Sequence, residues 1–282
     1  MTALVEAKWT TRRTASGIAF ETLDADVGTS APWIIFVHGV GLRRQIWRPW
    51  MQRLGHFARC AALDIPGYGE SPLQGGSRTL DSWVGYIEDV RQDLGAERVS
   101  LVGESLGGTS SIAYSLEHPE KLSSLVLCST GFQGSRIPEV ERWRQIFESL
   151  GPAGWSEYMN ERRFNPGDDA WAKKEAADAQ VLCDPETVIG DGEMLLRVDL
   201  SAPIGSLVSP VLLLQPGSSP FISRAHAFEL EAAIPDVECV LIGKSRHGIA
   251  LAYAAECSAI AAAFLERHAG SGHRQGESTN DH

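Results

Sequence analysis

The segment Val102-Gly103-Glu104-Ser105-Leu106-Gly107-Gly108 offers one hydroxyl positioned for nucleophilic attack. Strand formers, Val99-Ser100-Leu101-Val102, lead into it, and a helical pattern, Ser110-Ser111-Ile112-Ala113-Tyr114-Ser115-Leu116, leads out. A serine at so sharp a strand-to-helix turn takes a positive φ, and the chain passes only if the flanking residues lack bulk. Gly103 and Gly107 meet that need. The turn lifts the Ser105 hydroxyl above a sheet edge, while the helix behind it presents unpaired N–H groups and a positive dipole end to an anion. That combination suits attack on an acyl carbon.

Three further segments repeat the pattern of a strand running into a special turn. Trp33-Ile34-Ile35-Phe36-Val37 ends in His38-Gly39-Val40-Gly41, and Cys60-Ala61-Ala62-Leu63 runs into Asp64-Ile65-Pro66-Gly67-Tyr68-Gly69-Glu70-Ser71. Near the end, Val237-Glu238-Cys239-Val240-Leu241-Ile242 leads to Ser245-Arg246-His247-Gly248 and then to an Ala-rich helical stretch. In order these read strand–HGxG, strand–DxPGxGxS, strand–GxSxGG and strand–loop–His–helix. That series resembles the α/β-hydrolase family, over roughly 10–268 of the chain.

The resemblance implies a mostly parallel eight-stranded sheet with helices on both faces and a helical cap insertion. It implies roles as well. His247 stands where the family keeps its general base, and the backbone amides of Val40 and Leu106 stand where an oxyanion hole forms, each donor being worth about 3 kcal/mol. His38 matches a residue that shapes its loop and does not act as base. The acid that usually completes the triad is missing. In Pro210-Val211-Leu212-Leu213-Leu214-Gln215-Pro216-Gly217-Ser218-Ser219-Pro220-Phe221, alignment on Pro220 puts Ser219 at the acid's position, and the alternative position, Cys128-Ser129-Thr130-Gly131, also lacks a carboxylate. A neutral group there lowers catalysis by up to about four orders of magnitude. Three readings follow. Ser219 orients a Ser–His dyad acting on an already reactive substrate, or a carboxylate such as Asp191, Asp199 or Asp236 swings in, or the pocket binds without hydrolysing.

Positioning these groups requires alternating strands and helices. Strands are predicted over 34–37, 60–63, 99–102, 124–128, 211–214 and 237–242, with an opening hairpin over 8–13 and 18–23. The alternation breaks after Gly131, where helical patterns carry Trp143, Phe147, Trp155, Tyr158, Phe164 and Trp171. The division expected is a core over 1–130 and 200–268, a helical cap over 131–199, and a polar, disordered tail over 269–282. Trp143 and Phe147 from the cap, with Leu42, Arg43 and Trp47 opposite, are the expected pocket walls.

At 282 residues the chain can bury a full core, and its net charge of −11 argues against nucleic acid and anionic membrane as partners. No apolar run approaches a membrane span and no secretory signal is seen. Five irregularly spaced cysteines suggest no zinc pattern, with Cys60, Cys128 and Cys239 inert in strands, and a reduced cytoplasmic setting fits. No metal and no cofactor are expected; a small-molecule substrate is. The expected activity, on the resemblance, is serine-dependent hydrolysis of a small, largely apolar ester, thioester or lactone through an acyl-enzyme. The alternatives are C–C bond hydrolysis of aromatic ring-cleavage products, whose frequent Trp after the His is replaced here by Gly248 and Ile249, and a non-hydrolytic small-molecule binder. Substrate identity and oligomeric state stay open.

Overall fold

The computed structural model describes residues 8–24, 26–75, 78–136 and 140–268; the tail expected over 269–282 lies outside them. Eight strands form one sheet: β1 (Lys8–Arg13), β2 (Ala19–Asp24), β3 (Trp33–Val37), β4 (Arg59–Leu63), β5 (Val99–Glu104), β6 (Leu122–Cys128), β7 (Val211–Pro216) and β8 (Val237–Ile242). Their spatial order is β1-β2-β4-β3-β5-β6-β7-β8. The pairs β1–β2 and β2–β4 are antiparallel and the rest are parallel. Each predicted strand is found within a residue or two.

The central strands β3, β5, β6 and β7 are buried along their whole length, which is why they read as continuous apolar runs. Their period of two sorts the side chains onto opposite faces. Ile35, Val37, Leu101, Leu125, Leu127 and Leu213 enter one core, while Ile34, Phe36, Val102, Val126, Leu212 and Leu214 enter the other. Each fully buried aliphatic side chain contributes about 1.5–3 kcal/mol, so both faces hold the sheet firmly. Strand β8 is an edge, and Cys239 is exposed on it. Desolvation and neighbouring Glu231 push that thiol up to about 12, so it stays protonated.

Helices α1 (Arg48–Leu54), α2 (Leu80–Asp93) and α3 (Leu106–Glu117) connect the first six strands. Between β6 and β7 the chain inserts α4 (Val140–Arg163), α5 (Ala170–Gln180) and α6 (Pro185–Arg197). Local chemistry shapes this insert. Gly151 breaks α4 at φ 67° before Pro152, and the side chains of Asp169 and Asp184 cap α5 and α6 by accepting from Ala172 N and Thr187 N. Helices α7 (Arg224–Ala233), α8 (Ile249–Ala252) and α9 (Ala254–His268) complete the chain.

A buried carboxylate fastens the insert to the body. Asp191 on α6 accepts from Arg78 Nε and Nη2 at 2.6 and 2.7 Å, from Tyr68 Oη at 2.8 Å and from Trp83 Nε1 at 3.2 Å. The turn after β4 is held by Asp64, which accepts from the backbone N–H of Arg44 and Glu70 and pairs with the Arg44 guanidinium. Among the described residues no helix is long and apolar enough to cross a membrane.

Candidate active site

Ser105 sits between β5 and α3 at φ 54°, ψ −120°, a backbone conformation that non-glycine residues rarely hold. Close packing maintains it. A Cβ on Gly103 would strike the backbone of Gly107 and Gly108, and one on Gly107 would strike the carbonyls of Val37 and His38 at the end of β3. The nucleophile turn and the HGxG turn are thus pressed together with no room for a side chain. Glycine is the residue that permits this approach.

His247 arrives from the loop after β8. Ser129, itself at φ 49° beyond β6, donates to the His247 carbonyl at 2.6 Å, and Gly248 N–H donates to the Arg163 carbonyl at 2.9 Å. The Phe221 ring packs edge-on against the imidazole, 4.9 Å between centroids. So held, His247 Nε2 lies 3.1 Å from Ser105 Oγ and Nδ1 lies 3.0 Å from Ser219 Oγ. Of the carboxylates considered as stand-ins for the acid, Asp191 is engaged by Arg78, Tyr68 and Trp83. Asp199 bonds Ser201, and Asp236 is exposed beside β8. Among the described residues the side-chain partner of Nδ1 is a hydroxyl.

Two residues at the site had no signal in the sequence. Arg163, at the end of α4, is buried, donates to the Val40 carbonyl at 2.6 Å and leaves its Nε unpartnered at the cavity. Glu104, just before the nucleophile, is fully buried, with the Gly39 backbone and the Arg163 charge as its polar neighbours. Burial pushes Glu104 up to about 7, against the pull of Arg163. Burial, with the Arg163 charge, pushes His247 down to about 3, so the imidazole is neutral at ordinary pH.

These shifts carry signs that can be measured. Between its ordinary 4.5 and about 7, Glu104 keeps a proton in the folded chain that the unfolded chain releases, so stability falls as pH rises through that window. The contribution is about 3 kcal/mol. His247 acts oppositely: the unfolded chain binds a proton that the folded chain refuses, so stability falls as pH drops from 6.5 toward 3. Denaturant unfolding of Glu104→Gln should lose the decline between pH 4.5 and about 7 and keep the acid-side decline, to which His38 and His226, also lowered by burial, contribute with His247. An unchanged pH profile would mean that Glu104 does not titrate as its burial implies.

The cavity over Ser105 is lined by Val40, Trp143, Met159, Leu195, Phe221 and Ile222, with Arg163 and His247 at its polar side. Four expected wall residues, Leu42, Arg43, Trp47 and Phe147, lie elsewhere. Trp47 is buried against Phe36 and Trp50 on the other side of the sheet's core, and Leu42 shares that cluster. Arg43 reaches away to pair with Glu175 at 2.8 Å. Phe147 stacks on Trp155 at 5.0 Å, behind Trp143. Each has a packing or charge partner better than the cavity. Val40 lines the cavity with Ser105, Leu106 follows Ser105 at the start of α3, and neither N–H donates to a backbone carbonyl among the described residues.

A mostly parallel eight-stranded sheet, a strained serine turn after the central strand β5, and a helical insert before β7 define the class: hydrolases built on an α/β scaffold. A sequence model of the alpha/beta hydrolase fold matches residues 32–188, and the chain belongs to that family, as a hydrolase. It is 25% identical over 244 residues to the pimeloyl-[acyl-carrier protein] methyl ester esterase of Vibrio atlanticus (strain LGP32), covering 80% of this chain and 92% of that protein. It is 34% identical over 115 residues to a 2-hydroxy-6-oxononadienedioate/2-hydroxy-6-oxononatrienedioate hydrolase of Paraburkholderia phymatum, covering 39% of this chain and 40% of that one. In fold it matches the enol-lactonase of Burkholderia xenovorans LB400 with a TM-score of 0.79 at 21% identity, covering 91% of this chain and 100% of that one.

Proposed function

We propose that this hydrolase uses Ser105 as nucleophile and His247 as its proton shuttle on a small, largely apolar ester, thioester or lactone. The observation that carries the reading is the 3.1 Å contact between Ser105 Oγ and His247 Nε2 at a strained turn opening into an apolar cavity. As Oγ forms its bond to the acyl carbon, Nε2 takes the hydroxyl proton. The N–H groups of Val40 and Leu106 stabilise the oxyanion, the leaving group departs with the electron pair of its bond, the Nε2 proton passes to it or to solvent, and water, giving a proton to the freed Nε2, releases the acyl group. Arg163 steadies the oxyanion loop by holding the Val40 carbonyl. Trp143 from the insert roofs the cavity and selects acyl shape. No metal or cofactor is called on for these steps, and the unpaired thiols suit a cytoplasmic, reducing compartment.

The test is labelling by a fluorophosphonate with Ser105→Ala as control. Labelling of the native chain and its loss in the variant are expected. A native chain that stays unlabelled while folded would turn the reading to a non-hydrolytic binder. The Paraburkholderia phymatum relative favours C–C cleavage as the second reading, and turnover of a ring-cleavage dienoate in preference to every ester offered would establish it.

A further inference from the structure

Hydrogen-bond bookkeeping at Ser219 determines where His247 carries its proton. Ser219 Oγ accepts from the backbone N–H of Phe221 and of Ile222, each at 3.1 Å. A hydroxyl oxygen has two lone pairs and one proton. Both lone pairs are therefore occupied, and the hydroxyl proton is the only means of bonding to Nδ1 at 3.0 Å. Nδ1 is then an acceptor and bears no hydrogen. The proton of the neutral imidazole lies on Nε2, which donates to Ser105 Oγ. The same reasoning gives His38 the opposite form: its Nε2 accepts from Ile65 N–H at 3.0 Å, so Nδ1–H donates to the Gly39 carbonyl at 2.8 Å.

We propose that Ser219 holds His247 as the Nε2–H tautomer, so that the resting site presents donors only and favours acyl substrates whose leaving oxygen departs as a stabilised anion, such as a phenolate or enolate. The proposal names the substrate class of the hydrolase reading and rests on it. Attack needs the other neutral tautomer, with Nε2 bare and Nδ1–H donating. Ser219 Oγ can accept that bond only by releasing Phe221 N–H or Ile222 N–H, so the competent form is a minor population and divides the apparent rate. Once Ser105 has given its proton to Nε2 and the Oγ–C bond has formed, the imidazolium lacks an anion and faces Arg163 across the cavity. That ion is costly to form and readily returns its proton to Ser105 Oγ, so expulsion of Ser105 competes evenly with departure of an alkanol, and the intermediate goes forward efficiently only when its leaving group departs first. A phenolate or enolate leaves with the electron pair of its C–O bond and needs no proton in that step. Esters of alkanols, whose alkoxide must be protonated as it leaves, are the disfavoured class.

The tautomer is read by nitrogen NMR of the full chain labelled at histidine, with His247 assigned by its loss in His247→Gln. In the native chain the His247 proton is expected on Nε2, with Nδ1 bare, while His38 shows the reverse. In Ser219→Asp it moves to Nδ1, because a carboxylate has lone pairs enough for both backbone donors and the ring. In Ser219→Ala the preference for Nε2 weakens. A native His247 protonated on Nδ1 overturns the proposal. Kinetics supply a second reading: the ratio of kcat/KM for p-nitrophenyl acetate over ethyl acetate should be at least about 10²-fold smaller in Ser219→Asp than in the native chain. Equal ratios would refute the substrate assignment. The NMR result needs no turnover, so failure of fluorophosphonate labelling and failure of the tautomer are separate outcomes.

Discussion

Ser219→Asp is expected to raise kcat/KM toward ordinary esters by about 10²-fold or more, with a ceiling of about 10⁴-fold set by what a triad acid contributes. The position is already wired for a carboxylate. Phe221 N–H and Ile222 N–H converge on the side-chain oxygen, and Nδ1 of His247 stands 3.0 Å away. Ser219 is half-buried on a loop, so the extra reach of the longer side chain can be absorbed locally. A carboxylate would also lift His247 from about 3 toward its ordinary range, because an anion offsets the burial and the Arg163 charge that depress it. The pH profile should change accordingly. The native chain shows no acid limb from His247 above about pH 4, whereas the variant acquires one that moves toward neutrality. Steady-state kinetics from pH 4 to 9 check both effects. A folded variant with unchanged or lower activity and no new limb would show that the ring is not oriented from this position.

Asp191→Ala should cost about 3–5 kcal/mol of stability, because it strands the Arg78 guanidinium and leaves the Tyr68 hydroxyl and Trp83 N–H without their acceptor. For a chain of this size that corresponds to a fall in Tm on the order of 10 °C. The loss extends to function, since the insert that Asp191 fastens to the body supplies Trp143, Met159, Arg163 and Leu195 to the cavity. Asp191→Asn keeps acceptors for Tyr68 and Trp83 but gives up the bidentate pair, and should fall between. Calorimetry and kcat/KM on the same samples decide it. A fall in Tm of less than about 3 °C for the alanine variant would show that the carboxylate does not hold the two parts together.

The parts of this protein legible in its amino-acid order are those governed by near neighbours in the chain. The unbroken apolar run Ile34-Ile35-Phe36-Val37 announced a strand buried on both faces, because successive Cβ atoms point to opposite sides and each meets a core. Gly103 and Gly107 around Ser105 announced a turn with positive φ, because nothing larger fits. The order of four strand–turn units carried the topology, since a parallel sheet leaves few ways to connect them. The tertiary structure alone decided the rest, because those features join residues far apart in the chain. His247 meets Ser105 across 142 positions, and Arg163 reaches the Val40 carbonyl across 123. No periodicity marked Arg163 or the burial of Glu104. Trp47 and Phe147 looked like pocket walls from composition, yet found aromatic partners in the core instead. Sequence could name Ser219 as the residue at the acid's place. Only the approach of two backbone N–H groups to its oxygen determined that its proton points at the ring, because direction in a hydrogen bond is set by what the other lone pairs already hold.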